Sequence, residues 1–293
     1  MKLVIHMGLH KTASTTFQNF LHLNRDQLFD AGVLYPKIEE DSSHFEIPSR
    51  LLKNDWKFVE SFLLENFNEA KTKKINTVFI SSEDFETILI ENFLGSQFEN
   101  LALKIGYSSI HWECVLRNQW EYFNSLYAQL SWDGGTLNYS AAGHDIVHFG
   151  QMSIGTGTFR WRFAFDYDLF IDKFIQNTRG MFSVISFNSF TDNKVIGKEL
   201  IDKVIGSKNA SNIFWNSDLH LVDKANTRPD EETVEINYLA NFLGIKMTED
   251  FFAENDKIFV PIVKYRQSLI NQARENLHNK FTQKFPKISN RLS

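Results

Sequence analysis

The sequence predicts an α/β protein in which helices cover both faces of a central, mostly parallel sheet, giving three layers, α/β/α. Two observations support this class. Segments with the 3.6-residue period of amphipathic helices alternate with short apolar runs of strand length. Strands that alternate with helices form parallel sheets, which are buried on both faces and therefore apolar along their length. The apolar runs lie at residues 2–7, 77–81, 109–116 and 181–187.

The elements between these runs follow from periodicity and from residues that end helices. The first helix is predicted over residues 14–31, because Gly32 suits a helix C-terminus. Residues 33–35, just before Pro36, predict a short second strand. No linker rich in proline, glycine or serine interrupts the chain, so we expect one domain over residues 1–293. Further helical segments lie at residues 56–70, 119–130, 163–175, 194–205 and 231–243.

Two segments differ from this alternation. Residues 133–160 are rich in glycine and hydroxyl side chains and show no strong period, so we predict an irregular insertion that covers a site or acts as a lid. Residues 262–293 contain seven Lys or Arg and one Glu, and apolar residues at four-residue steps predict a basic C-terminal helix over about 262–285. We expect this helix to pack on the domain with a solvated basic face. The alternative is contact with a membrane surface or an acidic glycan.

Composition and charge exclude several classes of protein. The hydrophobic content of 43% and the charged content of 23% are ordinary for a soluble globular protein. The formal net charge of −5 argues against a nucleic-acid binder. The single cysteine, Cys114, excludes an internal disulfide and is expected to be a small buried hydrophobic residue. The chain begins directly with a strand and has no apolar run of membrane-spanning length, so a cytoplasmic location is expected.

The first strand is followed by a polar turn and the start of a helix, over residues 8–18. Backbone N–H groups at a helix N-terminus, together with the helix dipole, bind phosphate or sulfate. The phosphate loop G-x-x-x-x-G-K-[ST] does not fit, because Ala13 and Ser14 occupy the positions of its second Gly and its Lys when its first Gly is set on Gly8. The lysine is Lys11, inside the turn. The structural alternative is an ordinary capped helix that follows a strand.

Two motifs resemble those of the PAPS-dependent sulfotransferases, PAPS being 3′-phosphoadenosine 5′-phosphosulfate. The turn His10-Lys11-Thr12-Ala13-Ser14-Thr15 resembles the 5′-phosphosulfate loop of this family, and its histidine is similar to that of the carbohydrate-type and bacterial members. After the strand at 109–116, Arg117 and Ser125, eight residues apart, resemble the family's 3′-phosphate motif. An arginine at a strand end presents a planar fork of donors to phosphate. The alternatives are a surface salt bridge for Arg117 and a solvated helix position for Ser125.

The resemblance implies a three-layer fold similar to that of P-loop nucleotide triphosphatases, and an enzyme that moves a sulfuryl group from PAPS to a hydroxyl or amine. The product of the donor is PAP, the desulfonated nucleotide, and the expected acceptor is a small molecule or a glycan. Lys11 would neutralise charge on the leaving oxygen. The residues expected to bind the donor are His10, Lys11, Thr12, Ala13, Ser14, Thr15, Thr16, Arg117 and Ser125.

The acceptor requires a general base, and Glu83 is the predicted one. It lies just beyond the strand at 77–81, at the edge where α/β sheets bind ligands, and glycan-type members of the family have a carboxylate in a similar region. The alternatives for the base are Glu86, His44 and His10, and the structural alternative for Glu83 is a position in the first turn of a helix capped at residue 82. No metal is expected, since the sequence shows no convincing cluster of ligands.

Two other functions stay open at this level. One is a phosphotransferase or nucleotide-binding protein with the same fold. The other is a glycan-binding relative without catalytic activity. Binding of PAP, of ATP with Mg²⁺ and of glycans distinguishes the three classes.

Overall fold

The computed structural model describes residues 1–38, 41–155, 161–222, 229–245 and 255–285. The chain divides into two compact units. The first contains Met1–Arg117 and the described residues from 153 to 222, and the second contains Asn118–Met152 and the described residues from 229 to 285. One domain over the whole chain stays a prediction, because a domain can contain two compact units.

Seven strands are described. Five of them form a parallel sheet in the order β2-β3-β1-β4-β7, and the other two, β5 and β6, form a separate two-stranded sheet. The three central strands are almost wholly buried, as expected for a parallel sheet covered on both faces. The strands are β1 (Lys2–Gly8), β2 (Val33–Leu34), β3 (Thr77–Ser81), β4 (Ser109–Leu116), β5 (Gln151–Ile154), β6 (Trp161–Ala164) and β7 (Met181–Ser186).

Helices flank the five-stranded sheet, which confirms the predicted three-layer α/β/α class. A 3₁₀ turn, Glu83–Phe85, precedes the fifth helix. The described helices are α1 (Ser14–Leu23), α2 (Arg25–Asp30), α3 (Glu46–Leu52), α4 (Trp56–Thr72), α5 (Glu86–Ile90), α6 (Asn92–Ile105), α7 (Gln119–Trp132), α8 (Tyr139–Phe149), α9 (Tyr167–Asn177), α10 (Phe187–Thr191), α11 (Lys198–Ile205), α12 (Lys208–Trp215), α13 (Glu231–Leu243) and α14 (Asp256–Lys284).

The predicted first helix is divided into α1 and α2 at Asn24. The buried Asn24 side chain donates a hydrogen bond to the carbonyl of Phe20 at 2.8 Å and another to the carbonyl of His220 at 2.9 Å. It also accepts one from the backbone N–H of His220 at 2.8 Å. The helix is interrupted because this side chain binds a backbone segment far away in the sequence.

The predicted irregular conformation of residues 133–160 is wrong for residues 139–154, which form α8 and β5. The Asn138 side chain caps α8 by accepting a hydrogen bond from the Ala141 N–H at 2.9 Å, and Gly150 ends it in a left-handed conformation. Within α8, a Cβ atom on Gly143 would lie 2.5 Å from the side chain of Leu277 in α14. This glycine therefore allows two helices to pack closely. Residues 156–160 of the predicted insertion lie outside the described residues.

The predicted basic C-terminal helix is confirmed as α14, which begins a few residues earlier than expected. It packs against α8 and α13 of the second unit, and its buried residues include Val263 and Leu277. Lys264, Lys280 and Lys284 are exposed on its surface, as expected for a solvated basic face, whereas Arg266 and Arg274 are partly buried and pair with Glu235 and Glu231 of α13. Among the described residues, no helix is both long enough and apolar enough to cross a membrane.

Candidate functional site

The strand order of the sheet makes the carboxyl ends of β1 and β3 the candidate ligand site. These strands are neighbours, but the chain leaves β1 toward β2 at one edge and leaves β3 toward β4 on the other side. Ligands of open α/β sheets bind where the connections change direction in this way. The segments that follow the two strands are residues 9–13 and residues 82–86. Both contain residues that the sequence predicts to be functional.

Residues 9–13, which we call the donor loop after the role that the sequence predicts for it, have an unusual backbone. Lys11 and Ala13 have φ angles of 61° and 62°, in the left-handed region that non-glycine residues rarely adopt. Left-handed residues in such turns direct successive backbone N–H groups into one concavity, where anions bind. Ala13 is also the residue before α1, and no side chain caps this helix. This conformation is compatible with the binding of a phosphate or sulfate.

The donor loop packs tightly on the end of β1. The Thr12 hydroxyl, which is fully buried, donates a hydrogen bond to the carbonyl of Leu9. A Cβ atom on Gly8 would lie 3.0 Å from the ring of His6 and 3.2 Å from the Thr12 hydroxyl oxygen. A side chain at position 8 would therefore be crowded by these neighbours, although the φ angle of Gly8 lies outside the left-handed region.

His10 is held between two carboxylates. Its Nδ1 lies 2.9 Å from Oε2 of Glu86, and its Nε2 lies 3.6 Å from Oδ1 of Asp84. Burial lowers the pKa of His10, but hydrogen bonds and charge interactions with Asp84 and Glu86 outweigh burial and raise the pKa to about 10. His10 is therefore an imidazolium at neutral pH, which excludes it as the general base there. Because both ring nitrogens face carboxylates, its predicted contact with the donor stays a prediction.

Glu83 lies in the 3₁₀ turn beyond β3 and is partly exposed. Its Oε2 accepts a hydrogen bond of 2.7 Å from Nε2 of Gln18, a buried residue of α1. The Ser82 hydroxyl caps the turn by accepting a bond of 3.2 Å from the N–H of Asp84. The predicted cap therefore exists, while the Glu83 carboxylate itself faces α1. Its role as general base stays a prediction.

The other two alternatives for the base are buried and occupied by structural contacts. Nδ1 of His44 accepts a bond of 3.2 Å from the N–H of Ser81, Nε2 lies 3.1 Å from the carbonyl of Pro36, and burial lowers the pKa of His44 to about 4. Glu86 is fully buried and accepts hydrogen bonds through both carboxylate oxygens. Of the four residues considered, Glu83 alone combines a carboxylate with partial exposure.

Arg117, directly after β4, reaches the donor loop. Its Nη1 donates a hydrogen bond of 2.9 Å to the carbonyl of Lys11. The guanidinium group also lies over the ring of Phe187, 4.5 Å from its centroid, and the Arg117 carbonyl accepts a bond of 2.9 Å from the Tyr167 hydroxyl. The structure therefore brings the arginine of one predicted motif into contact with the lysine of the other.

The remaining residues predicted to bind the donor lie in α1 and α7. Ser125 is buried in α7 of the second unit, so its pairing with Arg117 stays a prediction. Ser14 and Thr16 are buried in the first turn of α1, whereas Thr15 is exposed there.

Gln18, Asp84 and Tyr167 contact predicted site residues in the structure, although the sequence predicts no role for them. For Gln18 a signal existed: it lies four residues after Ser14 in α1, so both lie on one face of the helix. The contacts of Asp84 and Tyr167 depend on tertiary structure, and no local pattern indicates them.

No protein-family model matches the chain, and no curated protein or solved structure matches it either. Within the part of the chain that the structure describes, no group of three or more His, Cys, Asp or Glu residues is placed to hold a metal ion.

Proposed function

We propose that the protein is a sulfotransferase that moves a sulfuryl group from PAPS to a hydroxyl or amine of an acceptor, with a carbohydrate as the expected acceptor. The observation that supports this most strongly is the left-handed donor loop at the carboxyl end of β1, with Arg117 bonded to the carbonyl of Lys11. It joins the two motifs that resemble those of the sulfotransferase family. The partly exposed Glu83 lies at the same edge of the sheet.

On this proposal the donor is bound by charge and by backbone N–H groups. The N–H groups of residues 12–16 and the hydroxyls of Ser14 and Thr15 hold the 5′-phosphate of PAPS. Arg117 contributes in two ways, since it fixes the loop carbonyl and its positive charge attracts the 3′-phosphate. Ser125 is the second residue of the 3′-phosphate motif that the sequence predicts.

The transfer itself needs positioning and charge stabilisation more than covalent chemistry from the protein. The acceptor oxygen attacks sulfur in line with the bridging oxygen, which leaves with PAP. Lys11 neutralises the negative charge that develops on this bridging oxygen. Glu83 takes the proton of the attacking hydroxyl, and its hydrogen bond with Gln18 orients the carboxylate.

The direct test of this activity is a screen of acceptors with PAPS that carries a radioactive sulfur. We expect label to move to a hydroxyl or amine of a carbohydrate, with PAP formed in equal amount. The control replaces PAPS by ATP with labelled γ-phosphate and Mg²⁺, from which no label should move. Transfer from ATP, with none from PAPS, would show a phosphotransferase instead.

A further inference from the structure

We propose that Glu86 is a positioning residue of the donor loop and acts on it through His10. This inference rests on the proposed function, because it assigns the loop to the donor. It gives Glu86 a role other than that of general base, and it makes the ring of His10 part of the loop's support.

The hydrogen bonds of Glu86 join two separate segments. Oε2 accepts from the backbone N–H of His10 at 3.1 Å and lies 2.9 Å from Nδ1 of the same residue. Oε1 accepts from the backbone N–H of Ala164, in β6, at 2.7 Å. Both oxygens thus act as acceptors, which an ionised carboxylate allows and a neutral amide does not. Glu86 holds the start of the donor loop against β6.

The hydrogen bonds between Glu86 and His10 lie next to the left-handed part of the loop. Residues in sparsely populated backbone conformations persist only where neighbouring structure holds them. Glu86 fixes the N–H of His10, and Arg117 fixes the carbonyl of Lys11 at 2.9 Å, so the two bonds enclose the left-handed residue. Loss of the first bond should let the loop relax, which moves the side chain of Lys11 and the N–H groups that follow it.

The charges around the ring of His10 keep it protonated. Asp84 and Glu86 face the imidazole of His10, and β6 contributes the ring of Phe163, whose centroid lies 5.1 Å away. Glu86 also influences Tyr167 and Cys114, but burial, the larger effect, raises the pKa of both groups, so they stay neutral. The positive charge on His10 therefore balances the buried carboxylate.

The test compares Glu86→Gln with a matched control, Glu99→Gln. Glu99 is also a buried carboxylate of the first unit that accepts three N–H bonds, here from Trp112, Arg179 and Gly180. In both variants an amide NH₂ group replaces a carboxylate oxygen that accepts an N–H bond, and this group cannot accept that bond. Both substitutions should therefore lower the melting temperature. Only Glu86→Gln should also weaken PAP binding, by about tenfold or more in calorimetry.

A second measurement needs no nucleotide: the pH titration of the His10 ring, followed by NMR. The pKa of about 10 predicts a protonated ring up to pH ~9 in the wild type and in Glu99→Gln, and a clear fall of this pKa in Glu86→Gln. A folded-state pKa above the unfolded value means that the stability from the pair is complete below pH ~6.5 and is lost as the pH rises toward 10.

The outcomes separate the two proposals. A wild-type His10 that titrates near pH ~6.5 overturns the positioning role, even if no variant folds. Equal loss of PAP affinity in both variants, or none in Glu86→Gln, overturns it as well. If the wild type binds no PAP, the proposed function fails, and the His10 titration then decides the Glu86–His10 contact by itself.

Discussion

Replacing Lys11 by alanine is expected to lower the rate of sulfuryl transfer by about 10²–10³-fold, the usual cost of removing one group that stabilises transition-state charge. The negative charge on the bridging oxygen grows as the bond to sulfur breaks. An interaction with this oxygen is therefore stronger in the transition state than in the bound donor. The affinity for PAP should fall much less than the single-turnover rate. Rapid-quench measurement of the rate and calorimetry with PAP check the two quantities separately.

The chain contains a matched control for this substitution. Lys74 has a φ angle of 59°, nearly that of Lys11, but it is exposed and lies before β3, at the amino ends of the strands. Lys74→Ala reports what the loss of a left-handed lysine does to stability alone. A Lys11→Ala variant whose transfer rate matches that of Lys74→Ala would remove Lys11 from the mechanism.

Replacing Glu83 by glutamine is expected to lower the transfer rate by about 10²–10⁴-fold, the usual contribution of a positioned general base. Glutamine is nearly isosteric, and its carbonyl oxygen can still accept the hydrogen bond from Gln18. The donor affinity and the melting temperature should therefore stay close to those of the wild type. Single-turnover rates, with PAP affinity measured alongside, check this division.

The control for Glu83 is Glu91→Gln, which changes a partly exposed carboxylate that pairs with Arg162. It should leave the transfer rate unchanged. If Glu83 acts only at the start of the turn, Glu83→Gln should cost about 1 kcal/mol of stability or less and keep a normal rate. That result would remove the base assignment while leaving the donor site in place.

The sheet could be predicted closely from the sequence because its strands are buried. The apolar runs at residues 77–81 and 109–116 coincide with β3 and β4. The helix α8 was missed because its one glycine, Gly143, is explained by a distant contact. Gly143, which weakens a helical pattern locally, packs against Leu277, more than 130 residues later in the chain.

The site was predicted as a set of residues, but its contacts were not. The sequence indicates that Lys11 and Glu83 each follow a buried strand. Because β1 and β3 are adjacent and parallel, both residues lie at the carboxyl ends of the strands. The contacts of His10 with Glu86, and of Arg117 with Lys11, depend on β1 lying between β3 and β4. Strand order is a property of the whole sheet, so no local pattern predicts these contacts.

Binding of PAP tests the donor site most directly, with Arg117→Ala as the variant. We expect PAP at about 100 times its dissociation constant to raise the free energy of unfolding by about 2.7 kcal/mol, and ATP with Mg²⁺ to have little effect. In Arg117→Ala, the loss of a charge-assisted contact should weaken PAP binding by about 1.5–3 kcal/mol with the fold intact. Equal stabilisation by both nucleotides, or none by PAP, would contradict the sulfotransferase proposal.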